Sequence, residues 1–260
     1  MDKVKTAVQS GRQNVLGVRV SPINLEEAVH AIQKWVEDGS QERVCVVPAH
    51  TVMDALEKPR LREVINQSGM VTPDGMSIVW ALRLFGREKA GRVYGPDLML
   101  SCCRHGAPRG WKHFLYGSTQ EVLDDLEINL KATIPGLRIV GRHAPPFQEQ
   151  VQQEFPAVIE KINRAEPDLL WVGLGSPKQE FWMDKHRSLV GASVMIGVGA
   201  AFDFLSGNKP QAPRWIQRSG LEWLYRFSQE PRRLWGRYSQ YPRFVILLAG
   251  QLLGIYHPGE

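Results

Sequence analysis

Short apolar runs rich in Val, Ile and Leu recur along the chain, and segments with helical spacing of their apolar residues separate them. Such runs are typical of strands that are buried on both faces, and strands that alternate with helices favour a parallel sheet. We therefore predict an α/β protein with a Rossmann-like, largely parallel sheet and helices on both of its faces. The predicted strands lie near residues 15–20, 44–47, 112–116, 137–140, 169–173 and 194–197.

Two of the intervening helices have clear start signals. Asn24 is followed three residues later by Glu27, and Ser118 is followed in the same way by Glu121. An Asn or Ser side chain can accept a hydrogen bond from the backbone of the first turn, while the Glu bonds back to the capping residue. We expect a helix to begin after each of these caps.

The loops that carry ligands should lie at one edge of this sheet. In open parallel sheets, ligands bind outside the carboxyl ends of the strands, where loops lead into helices. Three loops satisfy this rule, at residues 72–75, 116–119 and 173–180.

The first loop places Asp74 between Pro73 and Gly75. The proline restricts the backbone, the glycine permits a close turn, and residues 76–85 predict a helix whose positive N-terminal end faces the loop. A carboxylate here could act as the general base that takes the proton of an acceptor hydroxyl. Asp is also a favoured helix cap, so the local sequence taken alone favours a capping role for Asp74 over catalysis.

The third loop, residues 173–180, follows an apolar strand and precedes a helix. Its glycines leave backbone N–H groups that could contact a phosphate, and Lys178 would add positive charge. The spacing of the loop is neither that of a Walker loop nor that of the dinucleotide fingerprint. The alternative is a strand-to-helix turn in which the glycines only permit close packing.

The composition of the chain changes after residue 207, which predicts an α/β catalytic domain at residues 1–207 and a basic, helical appendage at 208–260. Residues 209–258 contain eight basic side chains and two acidic ones, interleaved with aromatic residues. Because the net charge of the whole chain is +5, the rest is close to neutral. Such a surface can attract nucleic acid, anionic lipid or a phosphorylated ligand.

Residues 244–256 are almost wholly apolar. A membrane-spanning helix needs about 20 apolar residues, so we expect this shorter run to lie on a membrane or to pack against a partner. The N-terminal residues lack the apolar run of a signal peptide, which predicts a cytoplasmic protein. Together with the apolar run at residues 244–256, this predicts a protein that is peripheral on the inner face of the cell membrane.

Metal, disulfide and cofactor chemistry is not expected. Cys45 lies in an apolar run and Cys102 is adjacent to Cys103, which favours neither a disulfide framework nor a zinc site. The histidines His50, His105 and His143 lack metal-ligand spacing, so we expect structural roles for them. The chain also lacks the Asp-x-Asp pair with which many sugar transferases hold a divalent metal.

Five motifs occur in order along the chain, and together they resemble the WecG/TagA/CpsF family of glycosyltransferases over about residues 15–238. They are Thr-Pro-Asp-Gly-Met at 72–76, Tyr-Gly-Pro-Asp-Leu at 94–98, Gly-Leu-Gly-Ser-Pro-Lys-Gln-Glu at 173–180, Gly-Val-Gly-Ala-Ala-Phe-Asp at 197–203, and Ala-Pro-Arg-Trp at 212–215 continuing to Gly-Leu-Glu-Trp-Leu-Tyr-Arg at 220–226.

The resemblance implies a metal-independent, inverting transferase without a cofactor. It would move a sugar from a UDP-sugar to a polyprenyl-diphosphate-linked acceptor in cell-wall or exopolysaccharide synthesis. Asp74 would be the base, Gln179 would contact the reacting sugar, and Arg226, Arg233 and Arg237 would close over the diphosphate. The same motif matching suggests substrate-binding roles for Gly75, Tyr94, Gly95, Asp97, Gly117, Ser118, Gly173, Gly175, Lys178 and Arg214.

One departure concerns the donor sugar. Where family members often carry Thr-x-Asn, this chain has Val46 and Pro48. Loss of two hydrogen-bonding side chains should change which sugar substituents are recognised. We therefore do not assign N-acetylmannosamine as the donor, and a glucose-type or uronic-acid donor is equally open.

Two other functions are alternatives to the transferase. One is a non-catalytic, membrane-associated scaffold, and the other is a nucleic-acid-binding protein, which the interleaved Arg and aromatic residues suggest. We expect an anionic membrane surface as a partner and no nucleic acid. A homo-oligomer is left open.

Overall fold

The structure is a computed structural model that describes residues 11–146 and 151–258; for residues 151–155, 233 and 237 it describes the backbone alone. The strands are β1 (Gln13–Val15), β2 (Val18–Val20), β3 (Glu42–Val47), β4 (Met70–Pro73), β5 (Lys112–Gly117), β6 (Arg138–His143), β7 (Leu169–Gly173) and β8 (Val194–Gly197). The helices are α1 (Leu25–Glu37), α2 (Ala49–Glu57), α3 (Pro59–Asn66), α4 (Met76–Leu84), α5 (Gly95–Gly106), α6 (Gln120–Thr133), α7 (Val151–Arg164), α8 (Lys178–His186), α9 (Ala201–Leu205), α10 (Arg214–Arg218), α11 (Glu222–Gln229), α12 (Pro231–Tyr238) and α13 (Tyr241–Leu252).

In the described part of the chain, six strands form one sheet in the order β4-β3-β8-β7-β5-β6, and all neighbouring strands are parallel. Alternate residues of a strand point to opposite faces of the sheet. Val44 and Val46 of β3 therefore pack with α1, α5 and α6, whereas Cys45 and Val47 pack with α2, α4 and α8. These two buried clusters confirm the prediction of an α/β protein with helices on both faces of a parallel sheet.

The start of α1 confirms the expected capping box. Asn24 Oδ1 accepts from the Glu27 backbone N–H (3.0 Å), and Glu27 Oε2 accepts from the Asn24 N–H (2.9 Å). The cap of α6 is one residue later than expected. Ser118 adopts a left-handed backbone, with φ of 59°, and Thr119 Oγ1 accepts from the Val122 N–H (3.3 Å).

Two strand predictions need correction. The run at 15–20 is not one strand but the turn and second half of an antiparallel hairpin, because Leu16 and Gly17 adopt positive φ values of 50° and 87°. Positive φ at both central residues is the geometry of a tight hairpin turn. In addition, β4 was not among the predicted strands, although the loop after it was selected as a strand end; its run is only four residues long and ends in Pro73.

Residues 208–258 form the helices α10 to α13, and the last of these contributes to the main core. Phe244 and Leu248 of α13 are buried with Val52 and Met53 of α2. Gln251 accepts from the Leu16 N–H (2.9 Å) and donates to the Asn14 carbonyl (3.0 Å). One side of the apolar run therefore packs within the protein itself.

The opposite side of α13 is exposed and apolar. Val245 is 60% exposed and Ile246 is 69% exposed, and Leu253, just beyond the helix, is 73% exposed. In the described residues, no helix has the length and apolar character needed to cross a membrane. The division of the chain at residue 207 and the membrane-associating character of the appendage stay predictions.

Candidate active site

A pocket lies at the carboxyl edge of the sheet, where the C-terminal helices cover the loops that follow four strands. From the loops it is lined by Pro48, Asp74, Gly175 and Gly199, and from the C-terminal helices by Gln217, Glu222, Trp223, Arg226, Tyr238 and Tyr241. Two of the three loops selected by the sequence meet here, at residues 72–75 and 173–180. The pocket is thus built from both parts of the chain.

Asp74 is held at the end of β4 by its backbone N–H, which donates to the Val47 carbonyl of β3 (3.2 Å). The following helix α4 is capped by Gly75, with φ of 79°, and has no side-chain cap. Asp74 therefore does not serve as the N-cap of this helix, which was the alternative role. Its side chain is only 19% exposed and lines the pocket.

The surroundings of Asp74 raise the pKa of its carboxyl group. The pKa of Asp74 is raised to about 6, mainly because the carboxyl group is buried; the charge of Glu222 also raises it, whereas Arg92 and Arg226 lower it. A carboxylate with a raised pKa is a stronger base than an ordinary Asp, yet it is still largely ionised at pH 7. Such a perturbed group in a pocket is a candidate for catalysis.

Arg92 is a pocket residue that the sequence did not identify, because it lies in the segment before α5 and outside the selected loops. Its guanidinium forms an ion pair with Glu222, donates to Gln217 Oε1 (3.2 Å) and lies over the Tyr94 ring, 4.0 Å from the centroid. Its Nε is 4.0 Å from Asp74 Oδ1. Arg92 thus connects Asp74 with the C-terminal helices.

Gln179 lines the pocket from the start of α8 and is almost fully buried. Its Oε1 accepts from the Gly199 N–H (2.9 Å), and its Nε2 donates to Glu180 Oε1 (3.1 Å). The carboxamide therefore connects α8 with the loop that follows β8. A contact of Gln179 with a sugar has to use its remaining hydrogen-bonding capacity.

Other predicted positions divide into those at the pocket and those away from it. Gly75, Tyr94, Gly95, Gly175 and Arg226 line the pocket as well. Outside its lining lie Gly117, Ser118, Gly173, Asp97, Lys178 and Arg214. The side chains of Arg233 and Arg237 are outside the described residues, and their backbone belongs to α12.

Four of the residues outside the lining, Gly117, Gly173, Asp97 and Arg214, have contacts in the fold that explain their positions. Gly117 and Gly173 are paired on β5 and β7, and a Cβ on Gly117 would lie 2.6 Å from the Gly173 backbone. These glycines permit close packing. For Gly173, this is the role that the sequence allowed as the alternative to a phosphate contact. Arg214 is bonded to Asp97 (3.0 Å) near the start of α5, and Lys178 is exposed.

Val46 and Pro48 do lie in the pocket wall, next to His50 and Thr51. The departure from the family pattern therefore falls on the pocket surface. His50 also lines the pocket, although we expected a structural role for it. No simple spacing signal marks this histidine, since its place depends on how α2 packs.

The lining of the pocket combines acidic, basic and aromatic side chains. Asp74 and Glu222 are the acidic side chains that line it among the described residues, and Arg92 lies near both. Arg226 adds a second cation, and Trp223 and Tyr241 stack with ring centroids 5.6 Å apart. Fold and pocket are those of an α/β enzyme, with Asp74 as a candidate base and two arginines at the sheet's carboxyl edge.

The chain belongs to the glycosyl transferase WecG/TagA/CpsF family, whose sequence model matches residues 13–258. It is 32% identical to an N-acetylglucosaminyldiphosphoundecaprenol N-acetyl-beta-D-mannosaminyltransferase of Bacillus spizizenii. The 192 aligned residues make up 74% of this chain and 72% of the relative. A Staphylococcus aureus protein of the same name is 27% identical over 248 residues, 95% of each chain. The protein is a glycosyltransferase, as its motifs predicted.

Proposed function

We propose that the protein transfers a sugar from a UDP-sugar to a polyprenyl-diphosphate-linked acceptor, with inversion and without a metal ion, in cell-wall or exopolysaccharide synthesis. The observation that carries the proposal is the position of Asp74, a mostly buried carboxylate between the sheet edge and two arginines. The relatives are named for transfer to N-acetylglucosaminyldiphosphoundecaprenol, which supports a sugar linked to diphosphoundecaprenol as the acceptor.

The proposed step is a single displacement at the anomeric carbon of the donor. The acceptor hydroxyl oxygen forms the new bond to this carbon, and its proton passes to Asp74. The bond to the diphosphate breaks, and UDP leaves with the electron pair. Arg92 and Arg226 meet the negative charge of the leaving diphosphate, which is the electrostatic part of catalysis.

The donor sugar would face the wall formed by Val46 and Pro48. Neither side chain offers the hydrogen-bonding groups of Thr-x-Asn, so this wall supports recognition of a sugar by other substituents. A screen for UDP release with UDP-N-acetylmannosamine, UDP-glucose and UDP-glucuronic acid, each with a short polyprenyl-diphosphate-sugar acceptor, identifies the donor. Absence of acceptor-dependent UDP release with a broad UDP-sugar panel would contradict the proposed function.

Asp74→Asn tests the proposed base. We expect transfer to fall by about 10²- to 10⁴-fold, because a neutral amide cannot take the proton, while binding of the UDP-sugar is retained. Initial rates and calorimetric binding measure the two effects. Asp124→Asn is a suitable control, because Asp124 pairs with Arg142 on the surface. Wild-type turnover by Asp74→Asn would remove Asp74 from the role of base.

We also propose that the exposed apolar side of α13 rests on an anionic membrane, at the inner face of the cell membrane. This placement would bring the pocket close to the lipid carrier of the acceptor. Support comes from the exposed Val245, Ile246 and Leu253 and from two exposed basic side chains, Arg232 on the preceding helix α12 and Arg243 in the first turn of α13.

A further inference from the structure

Glu222 reaches the pocket from the first turn of α11, although it is 148 positions after Asp74 in the numbering of the chain. Its side chain is 13% exposed and forms an ion pair with Arg92, whose side chain is also 13% exposed. A pair this deeply buried is sensitive to loss of either charge. The proposed reaction does not assign a role to Glu222.

The ion pair determines where the Arg92 guanidinium is directed. One terminal nitrogen, Nη2, bonds to Glu222, and the other, Nη1, bonds to Gln217 Oε1 (3.2 Å). The guanidinium also stacks on the Tyr94 ring, with its central carbon 4.0 Å from the ring centroid. The third nitrogen, Nε, is 4.0 Å from Asp74 Oδ1, which is longer than a hydrogen bond.

This arrangement leaves Asp74 without a direct bond from Arg92. A close, bidentate arginine would stabilise the ionised carboxylate and weaken it as a base. The charge of Glu222 acts in the opposite direction, since it raises the pKa of Asp74. Both effects of Glu222 therefore preserve the basicity of Asp74.

We propose that Glu222 is a positioning residue: it holds the Arg92 guanidinium where it donates no hydrogen bond to Asp74, so that the carboxylate can accept the proton of the acceptor hydroxyl. The inference rests on the proposed function of Asp74. It also gives the C-terminal helices a part in the chemistry that differs from binding the diphosphate.

The other titratable and charged groups of the pocket are present in every Glu222 variant. The titratable and charged side chains that line the same pocket are His50 of α2, Arg92 and Tyr94 before α5, Arg226 of α11, Tyr238 of α12 and Tyr241 of α13. Arg226 keeps one cation near Asp74 in every variant below. A change at Glu222 therefore alters one charge and the orientation of Arg92.

The test compares pH profiles of kcat/KM for UDP release by the full-length wild type, Glu222→Gln and Glu222→Asp. In the wild type, activity should rise with pH through about 6, because Asp74 must be ionised to act as a base. In Glu222→Gln, we expect this acidic limb to move down by about one pH unit or more, with a lower kcat above pH 7 and little increase in KM. Glu222→Asp keeps the charge, so its limb should stay near that of the wild type.

Glu57→Gln is the matched control, because Glu57 pairs with Arg243 between the body and the C-terminal helices but lies outside the pocket. Its acidic limb should match that of the wild type. Superposition of the limbs of Glu222→Gln and the wild type would overturn the inference, as would equal shifts in Glu222→Gln and Glu222→Asp. In either case an active wild type leaves the proposed function intact, whereas a wild type without UDP release contradicts that function itself.

Discussion

At the scale of single residues, two buried carboxyl groups near the pocket have different surroundings and different roles. Asp74 faces the pocket and has two arginines nearby, which keep its pKa at about 6 despite burial. Glu180 is fully buried behind the pocket, and burial raises its pKa. Gln179 donates to Glu180, so this carboxyl group supports the loop contact that Gln179 makes.

Glu180→Gln should make stability less dependent on pH. Because the folded protein raises the pKa of Glu180, the proton is held more tightly in the folded state than in the unfolded state. The contribution to stability is therefore present at pH values below the unfolded pKa and is lost as pH rises. We expect Glu180→Gln to unfold at a higher temperature than the wild type at pH 8, with the difference decreasing towards pH 4.

Calorimetric or circular-dichroism melts at both pH values measure this effect. Glu160→Gln is the control, because Glu160 is exposed and pairs with Arg164 one helical turn away. An equal difference between Glu180→Gln and the wild type at pH 4 and pH 8 would contradict the assignment of a raised pKa to Glu180.

At the scale of elements, glycines at the strand ends determine how closely the sheet and helices approach. The pairing of β5 and β7 continues to Gly117 and Gly173, and α9 covers Gly173 with Phe202. These positions resemble ligand-binding glycines in sequence, but in the structure they lie outside the pocket lining. Their conformational and steric requirements explain why the sequence places glycine there.

Gly173→Ala should destabilise the fold without any direct effect on the pocket lining. The added Cβ would lie 2.6 Å from the Phe202 ring, so the ring or the strand must move. Overpacking of this kind costs about 1–3 kcal/mol. Urea unfolding of the purified variant measures the change in free energy.

Gly236→Ala is the matched control on α12, where an added Cβ has no atom within 4 Å. Alanine in a helix interior should stabilise by about 0.5–1 kcal/mol relative to glycine. A Gly173→Ala variant as stable as the wild type would show that the Phe202 ring adjusts at no cost.

At the scale of the whole molecule, the C-terminal helices are connected to the α/β part by core packing as well as by the pocket. Phe244 and Leu248 are buried, while Val245 and Ile246 on the same helix are exposed. Removal of everything after residue 207 would expose the surface that these side chains cover. Point substitutions on the exposed side of α13 therefore test membrane binding more cleanly than truncation does.

Ile246→Asp with Leu253→Asp should reduce binding to anionic vesicles by tenfold or more, because each change removes an apolar contact and adds a negative charge. Both residues are exposed, so the free energy of unfolding should change by about 0.5 kcal/mol or less. Vesicle cosedimentation and urea unfolding measure the two quantities.

Arg19→Gln is the control, because Arg19 is an exposed basic residue of the hairpin strand β2 rather than of the C-terminal helices. Its vesicle binding should stay close to that of the wild type. Unchanged vesicle binding by the double Asp variant would contradict the proposed membrane face.

The sequence by itself determined the features that depend on a few neighbouring residues. Apolar periodicity predicted five of the sheet strands, the Asn24 cap was confirmed, and ordered motifs indicated the family. The hairpin turn at Leu16 and the short β4 were missed, because positive φ and strand pairing depend on contacts that local patterns do not contain.

Only the tertiary structure decided the electrostatic partners of Asp74. Arg92 and Glu222 are 130 residues apart in the chain, yet they form one ion pair beside the carboxylate. Sequence spacing cannot reveal such a pair, because its geometry follows from the packing of α11 against the sheet edge. The same packing decides that Arg226 faces the pocket while Arg214 is bonded to Asp97 outside it.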